Sequence, residues 1–179
     1  QTCALPIYTF SDLLIQDKYL IVTGTRPSMY GKRYALASIN LDELEIGELD
    51  IRGFSKASMI GATNDFLVIH YQKRGSDKMF LEALDFNTFE PIWKIDFNNM
   101  NDVWLTPKQV IALHNNEKLI SFNIKNGKVN SEINLVEIYN KSIPDEANPK
   151  TEIMRMFLFD NKITSIIKKD NTSHAVSLR

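Results

Sequence analysis

Short, dense apolar runs recur along the chain, each introduced by a polar turn. Three of them read Asp17-Lys18-Tyr19-Leu20-Ile21-Val22-Thr23, Asn64-Asp65-Phe66-Leu67-Val68-Ile69-His70 and Lys108-Gln109-Val110-Ile111-Ala112-Leu113-His114, and a weaker copy reads Asp160-Asn161-Lys162-Ile163-Thr164-Ser165-Ile166. Leu20, Leu67, Ile111 and Ile163 lie 47, 44 and 52 residues apart, near the ~40–50 residues of a four-stranded repeat unit. A further strand follows each run, over Ala35–Leu41, Phe80–Phe86, Lys118–Ile124 and Ser173–Leu178. An outer strand follows the first three, at Glu48–Ile51, Ile92–Phe97 and Val129–Leu135, and an inner strand precedes the runs, as at Ala57–Ala62 and Asp102–Leu105.

Leu20-Ile21-Val22 and Phe66-Leu67-Val68-Ile69 are apolar at odd and even positions alike, so both faces of each strand require cover. Helices would supply that cover in an α/β protein, but only Ile133–Tyr139 offers a short helical pattern. The shelter must come from neighbouring sheets. Pro91 and Pro107 stand where strands would begin, positions that tolerate a missing N–H. The pattern therefore predicts an all-β chain: a β-propeller arc of three complete four-stranded antiparallel blades plus one partial blade. The blades are expected near residues 11–52, 56–97, 101–135 and 153–179, within a partial propeller domain over 8–179, with 136–152 as a long inter-blade loop. An isolated arc would leave blade faces uncovered and is expected to behave poorly in solution.

The first seven residues, Gln1–Ile7, read as a translated sequencing adapter joined to an incomplete gene. They are expected to be an assembly scar outside the fold. On that reading the single cysteine, Cys3, carries no redox or metal information. The native start is then missing and the compartment is left open.

With 21 Lys plus Arg against 22 Asp plus Glu, the net charge is −1 and the two signs are interspersed. Nucleic-acid binders concentrate basic charge to neutralise phosphates, so nucleic acid is not expected as a partner. No apolar run approaches the ~20 residues of a membrane-spanning helix, so this segment is not expected to insert in a membrane.

The second repeat contains Ala83-Leu84-Asp85-Phe86-Asn87-Thr88-Phe89-Glu90-Pro91-Ile92-Trp93. This resembles the blade motif of PQQ-like (quinoprotein-type) propellers, Ala-x-Asp-x-x-Thr-Gly-x-x-x-Trp, with matches at Ala83, Asp85, Thr88 and Trp93. Phe89 replaces the glycine and argues against a left-handed turn there. The third repeat recovers Gly127 but has Ser131 at the tryptophan position; the first, Ser38-Ile39-Asn40-Leu41-Asp42, keeps only the outline. The resemblance implies that Asp85, Thr88, Trp93 and Gly127 are scaffold residues: the polar residue ties down the turn, glycine supplies its φ > 0, and tryptophan plugs the seam between blades. A WD40-like propeller shares the same general plan.

Of the candidate site residues, His70 and His114 read as equivalent positions at the ends of neighbouring second strands, with Thr23 and Ile166 in the other repeats. Adjacent blades stand at least ~10 Å apart, too far for one zinc ion to be ligated by both at ~2.0–2.3 Å. They read as binding-rim residues, together with the aromatic side chains of Tyr71 and Trp104; His174 lies in a different strand. Asp42, Glu43, Glu45, Glu48 and Asp50 form an acidic run around one hairpin, where nothing holds two carboxyls across a substrate. Asn140-Lys141-Ser142 and Asn171-Thr172-Ser173 have the form of glycosylation acceptors, relevant only to a secreted eukaryotic protein.

No catalytic residue, metal site or cofactor is assigned. The expectation is a non-catalytic propeller scaffold, part of a larger protein, that binds a protein or peptide partner at its rim. Two alternatives stand beside it. The resemblance implies a quinone-dependent dehydrogenase as the whole protein, and a ligand-sensing propeller within a receptor would share the same architecture.

Overall fold

The computed structural model describes residues 9–29, 31–50, 54–142, 151–159, 162–169 and 172–178. The expectations for Gln1–Ile7, including Cys3, lie outside the described residues, as do residues 143–150 and the side chain of His174. Among the described residues, fifteen strands and one helix follow one another in the order the apolar pattern predicts. The strands form four separate antiparallel sheets, each a simple meander in chain order. The chain divides into two compact units, Gln1–Asn98 with Ile124–Gly127, and Asn99–Asn123 with Lys128–Arg179.

The first unit holds two four-stranded sheets. One comprises β1 (Thr9–Gln16), β2 (Tyr19–Ser28), β3 (Gly31–Asn40) and β4 (Ile46–Asp50); the other comprises β5 (Phe54–Ala62), β6 (Phe66–Lys73), β7 (Met79–Asp85) and β8 (Pro91–Asp96). Their facing sides close into one cluster in which Ile21 and Leu36 meet Leu67, Ile69, Tyr71, Leu84 and Phe86. Strands β2 and β6 are buried on both faces because Ile21 and Val22, and Leu67, Val68 and Ile69, point alternately to opposite sides and are all at most 2% exposed. Sheet covers sheet, as the double-sided apolar runs require. Pro91 opens β8, where its missing N–H costs no ladder bond.

The second unit holds β9 (Met100–Leu105), β10 (Gln109–His114), β11 (Lys118–Asn123) and β12 (Val129–Asn134) in one sheet, and β13 (Thr151–Phe159), β14 (Lys162–Lys169) and β15 (Thr172–Leu178) in a three-stranded one. Pro107 sits in the turn before β10, two residues earlier than its predicted place at a strand start. Helix α1 (Leu135–Ser142) occupies the beginning of the segment read as a loop. Asn134 caps it by accepting the Glu137 N–H at 3.1 Å, and Glu137 pairs with Lys141 one turn on at 2.9 Å. Leu135 and Tyr139, also one turn apart, are fully buried against Ile111, Leu113, Leu119, Ile153 and Met156. The Tyr139 hydroxyl meets the buried Ser165 hydroxyl. The short helical pattern at Ile133–Tyr139 was thus real but two residues early, because Ile133 and Asn134 finish β12.

Register corrects the reading of the two histidines. Tyr19, Phe66 and Gln109 stand opposite Asn40, Asp85 and Asn123, the residues that open the next turn in each sheet. Counting from there, Thr23 matches His70, but His114 falls level with Tyr71. His70 and His114 therefore project to opposite faces of their sheets. An apolar run with no alternation hides a slip of one residue, which is why the sequence spacing misled.

Candidate binding cavity

Three hairpins show how the repeats are built at the backbone level. In the second sheet, Asp85 Oδ1 accepts the N–H groups of Asn87 and Thr88, both at 2.9 Å, and the Thr88 hydroxyl at 3.2 Å. These donors hold the Asp85 carboxyl below its ordinary pKa. The Phe89 N–H then returns to the Asp85 carbonyl at 2.8 Å. Phe89 adopts φ 57°, so the left-handed turn exists without glycine; packing of its ring against the core cluster that contains Phe86 offsets the strain. In the first sheet Asn40 Oδ1 accepts from Asp42 and Glu43 and Leu44 takes φ 55°; in the third sheet Gly127 takes φ 67°. One turn geometry therefore recurs under three different residues.

Trp93 is 8% exposed, and its indole N–H donates to the Ile124 carbonyl at 2.5 Å. A Cβ on Gly127 would stand 2.9 Å from the indole ring, so that glycine serves both its own φ and the tryptophan lying on it. In the cross-strand pair Ala83–Trp93 the third sheet substitutes Ser121 and Ser131, whose hydroxyls bond at 2.8 Å, and the first sheet substitutes Ser38 and Gly47.

Within the first unit a cavity of about 310 Å³ is lined by Ser11, Tyr34, Lys56, Ala57, Ser58, His70, Tyr71 and Met79. Inner strands β1 and β5, with β3, β6 and the first residue of β7, supply its walls. Irregularities in both inner strands, at Phe10/Asp12 and Met59/Gly61, re-aim side chains locally. Asp12 Oδ2 then accepts the hydroxyl of buried Thr23 at 3.1 Å and the Met59 N–H at 3.2 Å, tying the two sheets together. Gln16 Nε2 adds a bond to Asn64 Oδ1 at 3.1 Å.

Two sequence candidates meet here. His70 stands opposite Ser58, and its Nε2 is buried with no hydrogen-bond partner. Burial pushes its pKa below the usual histidine value, so the ring is neutral at pH 7. Tyr71 is 2% exposed and packed between Phe54 (centroids 3.7 Å apart) and Phe80 (5.3 Å). Lys94 Nζ lies 5.1 Å from the Tyr71 ring centroid and 4.3 Å from that of Phe80. The Tyr71 hydroxyl bonds Glu82, which lies opposite Lys94 in the ladder. Burial raises both pKa values, and for Glu82 the Tyr71 bond and the Lys94 charge oppose the rise. Tyr71 is thus mainly a packing residue whose body forms part of the cavity wall.

The other two candidates belong to the second unit. Trp104 packs against the cluster around Ile111 and Leu113, and the His114 carbonyl closes the β10–β11 turn by accepting the Glu117 N–H at 3.0 Å. That unit has an open groove of about 410 Å³ lined by Thr106, Pro107, Lys108, Gln109, Ile111, Leu158 and Ile163, which includes neither of them. Among the acidic run, the Asn40 amide donates to Glu43 at 3.1 Å, and Asp42, Glu43 and Glu45 are exposed. Among the described residues no group of three or more His, Cys, Asp or Glu could hold a metal ion, and no helix is long and apolar enough to cross a membrane.

Sequence reading missed Asp12, Ser11, Tyr34, Lys56 and Ser58. The one available signal was a carboxylate at position 12 facing inward in a strand whose inward positions also include Leu14.

No protein family and no curated protein matches the chain by sequence. Solved structures match it by shape. The β-propeller domain of the trilobed protease from Pyrococcus furiosus superposes with a TM-score of 0.59 at 9% identity over 94% of this chain and 56% of that one. An acylaminoacyl peptidase from Pyrococcus horikoshii gives 0.54 at 7% over 93% and 32%, and BamB from Moraxella catarrhalis gives 0.52 at 11% over 86% and 38%. The chain thus spans between about a third and just over half of these neighbours' lengths. Identities this low carry the fold alone. Together with the meander sheets and their repeated hairpins, they show that the chain is a divergent partial β-propeller of three four-stranded blades and one three-stranded blade.

Proposed function

We propose that the chain is a non-catalytic binding scaffold, with residues 8–179 a partial propeller domain that recognises a protein or peptide at the rim of its blades. The observation that carries this reading is the wall of the 310 Å³ cavity. Its hydroxyls, ammonium group and neutral imidazole suit recognition, and they are fixed on paired strands that resist rearrangement. A general base needs a partner to orient it and a neighbouring group to act upon. The buried Nε2 of His70 has neither a carboxylate nor a hydroxyl bonded to it, which suits a contact residue better than an acid or base.

Selection of a phage-displayed random peptide library on the immobilised chain tests the proposal. A family of related sequences that bind saturably and compete with one another is expected. Failure to enrich any peptide beyond that retained by an unrelated immobilised β-protein would overturn it.

A further inference from the structure

The first hairpin of every sheet closes on residues three positions apart: Gln16 and Tyr19, Thr63 and Phe66, Thr106 and Gln109, Phe159 and Lys162. These pairs give the sheets a common register. Counted from them, Gln109, Ile111, Leu158 and Ile163 of the second unit hold the places of Tyr19, Ile21, Ala62 and Leu67 in the first. In the first unit that place is filled. Phe86 is 4% exposed, joins the cluster with Ile21 and Leu67, and meets the Tyr19 ring edge-on with centroids 5.6 Å apart. In the second unit the same place is the open groove of about 410 Å³, lined by Thr106, Gln109, Ile111, Leu158 and Ile163. Phe86 stands two residues past the Leu67–Leu84 pair, and the matching pair of the last sheet is Ile163–Leu178, at the end of β15. A residue that fills the groove as Phe86 does therefore leads into a strand lying beside β15.

β15 offers an edge for such a strand. Among the described residues it pairs with β14 only, whereas β3, β7 and β11 each carry a fourth strand on their other side. In β7 the Asp85 N–H donates to the Glu90 carbonyl, and the Met79 carbonyl accepts the Phe97 N–H, both at 2.9 Å. Alternate residues between Met79 and Asp85 thus turn their backbone groups toward β8. The matching residues of β15 are Ser173, Ala175 and Ser177. Edge groups of this kind are a template for an added strand.

We propose that the second unit binds a peptide of another chain by strand addition along β15, with an aromatic residue of that peptide seated in the groove. The first unit supplies the spacing: Phe86, then the four residues Asn87, Thr88, Phe89 and Glu90, then an extended run from Pro91. Backbone pairing gives such a complex its affinity, and the groove selects the leading residue. A second copy of this chain is a poorer occupant. Its Phe86 and Ile124, the residues at this level in the second and third sheets, are already buried at 4% and 2% exposure. The site adds to the binding-scaffold reading and shares no residue with the 310 Å³ cavity.

Fluorescence anisotropy on the 179-residue chain tests the proposal. The labelled peptide copies residues 124–134, a turn and outer strand of the third sheet, with phenylalanine at its head in place of Ile124. Saturable binding is expected, and alanine at the head should weaken it at least about tenfold. Ala175→Pro removes an outward N–H, which an edge strand tolerates, and should lower affinity by about tenfold or more. Circular dichroism checks that this variant folds, and the exchange at the peptide head needs no variant of the chain. Methyl resonances of Ile111 and Ile163 in the wild type should move when the phenylalanine peptide binds. No saturable binding, equal binding of the two peptides, affinity unchanged by Ala175→Pro, or bound peptide with both isoleucine methyls unmoved would each overturn the proposal. Dimerisation of the chain alone that is lost in Ala175→Pro would assign the edge to a second copy and overturn it too. Phage-selected peptides that bind Ala175→Pro as tightly as the wild type keep the scaffold reading standing even where this inference fails.

Discussion

Leu44, Phe89 and Gly127 occupy the same left-handed turn position at φ 55°, 57° and 67°, and their side chains dictate different consequences. A non-glycine residue in this region is strained by roughly 1–2 kcal/mol. Leu44 is 74% exposed and recovers little by packing, so Leu44→Gly is expected to stabilise the first unit by about 0.5–1 kcal/mol in urea unfolding, after glycine's own entropic cost. Phe89 packs into the core cluster, and Phe89→Gly should lose more there than it gains, shifting the unfolding midpoint downward. Gly127→Ala meets both the backbone strain and the Trp93 ring at 2.9 Å, and a loss of at least about 1 kcal/mol is expected. A Gly127→Ala protein as stable as the wild type would show that the turn or the indole moves freely. The sequence motif implies a scaffold role for Asp85, Thr88, Trp93 and Gly127, but it could not reveal that leucine and phenylalanine hold the same φ. A letter pattern registers the residue that usually solves a steric problem, and here packing or simple tolerance solved it instead.

Among the elements, the second strands were legible because burial on both faces leaves an unbroken apolar run, while exposed outer strands such as β12 followed only from the repeat spacing and the turns between. The register of the second strands was not legible. The run Val110–Leu113 reads the same when slid by one residue, and only the ladder partner of Asn123 fixes where His114 falls. Helix α1 was legible as a short amphipathic pattern but not in extent, since the Asn134 cap and the Leu135–Tyr139 pair draw their meaning from the cluster beneath them. That docking gives a direct test. Tyr139 and Ser165 are both fully buried and bonded to each other, and burial raises the tyrosine pKa. Tyr139→Phe keeps the ring and leaves the serine hydroxyl without its partner, so about 1–3 kcal/mol of the second unit's stability should be lost. Faster hydrogen exchange confined to α1, β13 and β14 would confirm the assignment, and unchanged exchange would refute it.

For the molecule as a whole, the fold followed from repeat spacing and the need for mutual cover, whereas the cavity did not. Ser11, Tyr34, Lys56, Ser58 and His70 come from four strands spread over 60 residues, and no local pattern marks them. Only two of the four proposed rim residues line it. Stability should report the cavity through pH. The unfolded chain binds a proton on His70 near pH 6.5, while the buried ring, facing neutral Ser58 and Leu81 with Lys56 in the same cavity, resists protonation. The unfolded state therefore takes up more protons below that pH, and stability falls as the pH drops through and below 6.5. Replacing Trp104 by Phe leaves Trp93 as the fluorescence reporter of the first unit. In that background the acid-side slope should flatten in His70→Gln, and an unaltered slope would exclude His70 as its source.

The recurring hairpin has one more consequence. Because its shape is held by a backbone dihedral four residues after the opening residue, and in two hairpins by a side-chain oxygen at that opening, leucine, phenylalanine and glycine each serve at the bend where their own surroundings permit. Chains that share such a hairpin can share almost no letters and still superpose, as this one does with proteins only 9 and 11% identical to it. The fold here is written in backbone angles more than in the residues that carry them.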